Sequence, residues 1–227
     1  MQTLVRVVIA VALGLVLGSI LTVVLQRVPA PGTMARAETP RVTSTWALLI
    51  DAATAGLFVG AVLTFDDPAV ATVMAAFFWV MLAVALIDAR HRLIPNRIVY
   101  PALAGFGVAV TALALAGMAD LVHAVVGFAV YGGALLLVAL LSGAMGMGDV
   151  KLAALIGLVL GAFGLRLVAV AAAVAIVGVG AASILALVVW RRGRKSTIPF
   201  GPFLAAGAVV SALVAGPITD TYLRLTA

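Results

Sequence analysis

No cysteine occurs in the 227 residues. Disulfides and thiolate metal sites are therefore excluded, and cysteine usage says nothing of the redox compartment. Histidine is limited to two residues, so no multi-histidine cluster exists to hold a metal ion, and none is expected. Charge is equally sparse. Only 10% of the chain is Asp, Glu, Lys or Arg, against roughly a quarter in soluble domains. With 65% hydrophobic residues and a mean hydropathy of +1.30, the chain has lipid as its main solvent. The apolar runs are continuous and rich in Ala, Leu and Val, without the alternation of barrel strands, which leaves an all-α polytopic bundle. The net charge of +6 would suit nucleic acid, but the basic residues lie in short loops between apolar runs. That pattern is a topology signal and makes the bilayer the partner.

A spanning helix needs about 20 apolar residues, and eight runs are read as spans: Leu4–Leu25, Trp46–Phe65, Ala69–Ile87, Ile98–Gly117, Leu121–Leu141, Val150–Leu165, Leu167–Trp190 and Phe200–Ile218. They form a single membrane-embedded domain over residues 1–227. Gly14 and Gly18 in the first span, and Gly157, Gly161 and Gly164 in the short sixth, are either small-residue packing sites or simply the glycine common in membrane helices. Eleven of the fourteen Lys and Arg fall at the odd-numbered loops, among them Arg27, Arg36, Arg41, Arg90, Arg92, Arg97 and Lys151, with four more from Arg191 to Lys195. The positive-inside rule makes those loops cytoplasmic and both termini external, as an even number of spans requires. Arg6, the first apolar run and Ala35-Arg36-Ala37 have the outline of a secretory signal. The run is too long for an h-region, however, and Arg27 follows it at once, so it reads as a span.

Carboxylates beside membrane helices are costly and usually functional. Of the eight acids, Asp66, Asp67, Asp120 and Asp220 belong to outer loops or the tail, and Glu38 to a polar inner loop. Three remain. Asp51 lies in the cytoplasmic half of the second span, as a satisfied acid near the helix start or as a substrate contact. Asp88 ends the third span and Asp149 opens the sixth, 61 positions apart, at one membrane edge on different helices. Two carboxylates so placed can converge on one water. Close together they cannot both ionise, so the pair shares a proton. The charged member is then a general base, and the protonated one donates to a scissile carbonyl. Each also has a plainer reading: Asp149 as a helix N-cap, and Asp88 as the i,i+4 partner of Arg92. Gly146 and Gly148 leave room before Asp149 for an approaching backbone and permit unusual φ values. Lys151 is an anion-stabilising or substrate-holding group or a snorkelling interfacial cation. Asn96, after Pro95, reads as a turn or cap residue and a supporting member of the site.

The string Gly146-Met147-Gly148-Asp149, followed by Val150-Lys151-Leu152, resembles the Gly-x-Gly-Asp motif of the type IV prepilin peptidases and archaeal preflagellin peptidases, and more remotely that of presenilins. Asp88 to Pro101 is similar to the first-aspartate segment of that family, Leu13 to Pro29 to its first span, and Ile198 to Gly207 to its last. The resemblance implies an aspartyl endopeptidase with Asp88 and Asp149 as the catalytic pair. It would act without a cofactor, at the cytoplasmic face of a bacterial inner membrane. Its substrates would be pilin-like precursors, whose leader is cut off just after a glycine. Two departures stand out. The loop over residues 27–45 replaces a larger cysteine-bearing, zinc-binding insert of longer members, which makes their N-methylation of the product an unexpected activity here. Where the family has Phe-Leu-Asn, this chain reads Ile20-Leu21-Thr22. A proton-relaying transporter and an inactive assembly scaffold are the competing classes. The single membrane edge occupied by both acids weighs against the first, and the intact motifs weigh against the second.

Overall fold

The computed structural model describes residues 1–27, 43–143, 145–188 and 199–215. Among them are eight α-helices: α1 (Gln2–Arg27), α2 (Ser44–Thr64), α3 (Pro68–His91), α4 (Asn96–Leu115), α5 (Leu121–Ser142), α6 (Met147–Gly161), α7 (Leu165–Val188) and α8 (Gly201–Val210). A π turn over Ser211–Ala215 extends α8. No strand occurs among the described residues. Most of the 27–45 loop lies outside them, as do the basic run from Arg191 to Lys195, Ala35-Arg36-Ala37, Glu38, Asp220 and Arg224.

The helix ends follow local chemistry. Asp67 caps α3, its carboxylate accepting from the Ala69 and Val70 amides at 2.8 and 3.1 Å, with Pro68 in the first turn. Asp120 caps α5 through the His123 amide at 2.9 Å. That bond, with the His123 ring nitrogen 2.7 Å away, holds the Asp120 carboxyl below its ordinary range. Two acids assigned to outer loops are thus helix caps. Helix α3 ends on Arg92, left-handed at φ 52°, and α5 ends on Gly143 at φ 60°.

Six helices, α1 to α5 and α7, are long and apolar enough to cross a membrane, and the chain is a multi-pass membrane protein. Helix α6 differs. Its 15 residues rise only about 22 Å, and most of them are buried, including Leu152, Leu155, Ile156 and Leu160. It is a central helix, apolar all round because neighbours surround it. Phe77, Phe78 and Met81 of α3 and Leu204 of α8 complete the core around it.

Small residues set the closest approaches. A Cβ built on Gly14 would lie 2.5 Å from the Ala55 Cα, and one on Gly18 would lie 2.6 Å from the Asp51 Cα, so α1 and α2 meet backbone to backbone. Gly157 and Gly127 press α6 and α5 together in the same way, with Gly161 against Ala124. The packing reading of these glycines holds. Gly164 departs from it, having open space where a side chain would sit. Its φ of 137° turns the chain from α6 into α7.

Candidate active site

Four elements deliver the site to one end of the bundle. Asp88 lies in the last turn of α3, buried at 5% exposure. Its Oδ2 accepts from the Gly201 amide of α8 at 3.0 Å. Gly201 opens α8, where the first amides have no intrahelical partner; one of them is spent on the carboxylate, in the manner of an anion at a helix N-terminus. Glycine leaves room for that contact. A Cβ at 201 would stand 2.7 Å from Oδ2 and 3.0 Å from Cγ of Asp88.

Asp149 is half-buried in the first turn of α6. The N-cap position belongs to Gly146, so Asp149 is not itself the cap. From the third helical position its carboxylate lies beside Gly146, where a Cβ would stand 3.5 Å from Oδ2. The Asp88 charge bears directly on Asp149. The two acids read from the sequence as a pair thus lie near each other at one end of the bundle, Asp88 on α3 and Asp149 on α6.

Gly146 and Gly148 have ordinary backbone conformations, Gly146 with φ −71°, so the expectation of unusual φ values is not met. What Gly148 supplies is space: a Cβ there would lie 2.8 Å from the Ile94 Cβ in the α3–α4 connection. Gly146 is exposed and leaves the Asp149 edge open. Lys151 turns to α4, donating to the Asn96 Oδ1 at 3.0 Å with its ammonium 4.8 Å from the centre of the Tyr100 ring. This cation–π contact and hydrogen bond fix the start of α6 against the start of α4.

Asp51 stands apart from this cluster. It turns toward α1, where the Ser19 hydroxyl donates to its Oδ2 at 3.3 Å and Gly18 makes room for it. Thr22 is buried at 7% exposure, and its hydroxyl has no hydrogen-bond partner among the described residues. Sequence reasoning misses Gly201 and Tyr100 as site residues. The first lies in the Ile198–Gly207 segment, which the sequence marks only as a likeness of the last span.

The fold and the site define a class: a helical multi-pass membrane protein with two neighbouring aspartates, one buried and one half-buried, at one end of its bundle. Comparison with known proteins supplies the family. Residues 75–190 match the model described as the type IV leader peptidase family. The chain is 32% identical over 178 residues to a prepilin leader peptidase/N-methyltransferase of Dichelobacter nodosus, covering 77% of this chain and 60% of that protein. It is 34% identical over 151 residues to one from Stutzerimonas stutzeri (64% and 50%), and 29% over 150 residues to one from Bacillus subtilis (66% and 58%). The chain spans between half and three fifths of the length of these relatives. No solved structure matches it significantly. The chain belongs to the type IV leader peptidase family, as the four sequence segments imply.

Proposed function

We propose that this chain is an intramembrane aspartyl endopeptidase that removes the short basic leader of type IV pilin-like precursors. The observation that carries this reading is the nearness of Asp88 and Asp149, from α3 and α6, at one end of the bundle. A water between them loses a proton to the charged member as its oxygen bonds to the scissile carbonyl carbon. The protonated member donates to the carbonyl oxygen. Collapse of the adduct breaks the C–N bond, and the leaving amine takes a proton from the pair. The two carboxyls titrate as a unit, so neither has a fixed role. Substrate backbone enters past the exposed Gly146, on the open Asp149 side.

Eleven of fourteen Lys and Arg at the loops on the aspartate side support a cytoplasmic site in a bacterial inner membrane, with both termini outside. N-methylation is left out of the activity, because the chain has no cysteine for a zinc-bearing insert. The test is co-expression with candidate precursors, reading leader loss by gel shift and product mass for wild type, Asp88→Asn and Asp149→Asn. Cleavage by wild type alone supports the pair, and a methylated product would restore the second activity. Wild-type cutting by either variant would refute it.

Two neighbours of the pair give further expectations. Gly201→Ala drives a methyl group into the Asp88 carboxylate, so cleavage falls by about 10–100-fold, the loss of a charge-assisted hydrogen bond with its geometry. Single-turnover rates should show the loss in the chemical step rather than in precursor binding. Lys151→Met and Asn96→Ala each break the α4–α6 bridge. An exposed polar contact of this kind is worth up to about 1 kcal/mol, so each lowers cleavage about fivefold or less. The double variant should be no worse than the poorer single one, which kcat/KM for all four forms would check.

A further inference from the structure

At the end of the bundle remote from Asp88 and Asp149, α1, α2 and α3 enclose an apolar cavity of about 440 Å³, within the roughly 300–1,000 Å³ range of small-molecule sites. Helix α1 packs closely on α2 but hardly touches α3, so the cavity opens sideways between Ile9 and Leu13 on one lip and Thr72 and Ala76 on the other, all four exposed. Phe58 and Val62 of α2 form its back wall. Two polar contacts close its ends. At the rim the Arg6 guanidinium reaches over to the α2–α3 turn and donates to the carbonyls of Asp66 and Phe65 at 3.0 and 3.2 Å. At the floor the Trp79 indole donates to the Leu17 carbonyl at 3.1 Å, tying α3 back to α1.

The dimensions and the charge point to one occupant. From Arg6 to Leu17 the helix rises about 16 Å, half of the ~30 Å hydrocarbon core. A substrate helix would need a groove running the full depth and ending at the aspartates, whereas this cleft stops at mid-membrane on the opposite side. One acyl chain fits its length. The guanidinium has five donors and uses only some on the two carbonyls, which leaves it able to take a phosphate oxygen. We propose that the cleft is a specific phospholipid site, with the headgroup phosphate on Arg6, one chain between α1 and α3 and the chain end on Trp79. The site is independent of the peptidase reading.

The test is native mass spectrometry of detergent-purified protein titrated with phosphatidylglycerol, comparing wild type with Ala76→Phe, Arg6→Gln and Val177→Phe. Val177 is exposed on α7, away from the cleft, and serves as the control. One tightly held lipid is expected on wild type and on Val177→Phe, with affinity about tenfold weaker in each of the other two. Equal binding by Ala76→Phe and wild type would overturn the proposal. A second measurement guards against misfolding of that variant. In the Trp46→Phe/Trp190→Phe protein in vesicles, phosphatidylglycerol brominated near the chain end should quench Trp79 at low mole fraction, and saturably. Quenching that rises in proportion to mole fraction would mean bulk lipid only and would equally overturn it. Photo-crosslinking from position 76 should capture lipid; capture of a co-expressed precursor instead would assign the cleft to substrate and overturn the lipid reading.

Discussion

Asp88→Asn and Asp149→Asn should each reduce leader removal by about 10²–10⁴-fold, the range of a lost general acid or base. Asparagine preserves size and a hydrogen-bonding oxygen. An asparagine at position 88 can therefore still accept from the Gly201 amide. The folded bundle should survive both substitutions, which separates chemistry from stability. With one carboxyl left, nothing shares its proton: there is a base or an acid, not both in succession. The double variant should be no slower than the worse single one, because the residues act as one unit. The check is single-turnover cleavage in detergent, with thermal melting beside it. A variant that cleaves slowly only because it melts early would show normal rates at low temperature, whereas the pair predicts no recovery.

The second large effect is on assembly. Gly157→Leu should prevent stable packing of α6, destabilising the protein by about 3 kcal/mol or more. At this crossing a Cβ on Gly157 already collides with the Gly127 carbonyl and stands 3.1 Å from the Phe128 amide nitrogen. These are backbone atoms of a neighbouring helix and cannot rotate away, so the helices must separate. Membrane helices gain no hydrophobic driving force from meeting each other, and nothing offsets the lost contact. Because α6 is encased and carries Asp149, separation disturbs the core and the site together. Gly133→Leu is the control. Gly133 lies on the same helix as Gly127 but has open space around its Cβ position, and its substitution should change folded yield little. Size-exclusion profiles and melting temperatures of the two variants would distinguish a positional effect from a general intolerance of leucine in α5 and α6.

Much of this is legible without coordinates. The helices follow from apolar length, whereas the caps at Asp67 and Asp120 do not, because the sequence places those acids only in outer loops. The paired acids stand out because a carboxylate in an apolar chain is expensive, and loop charge puts both at one edge. Neighbour relations are not legible. Membrane helices are apolar on every face, so the periodicity that tells a soluble helix which side to bury is nearly absent here. That Gly201 would hold Asp88 across 113 positions, that Lys151 would choose Asn96 and Tyr100, and that Trp79 would seek the Leu17 carbonyl depend on which helix lies beside which. The glycines come nearest to revealing it. Gly14, Gly18 and Gly157 are visible as candidates, but only the fold names their partners as Ala55, Asp51 and Gly127.

The Asp88–Gly201 bond also sets a timetable for biosynthesis. Both carboxyl groups have left the ribosome's active centre once residue 149 is joined, yet the amide that anchors one of them is added 52 residues later. At about 5–20 residues per second, several seconds pass in which the nascent chain holds its two acids without the contact that fixes their geometry. A late helix is thus the one that completes the end of the bundle where Asp88 and Asp149 lie.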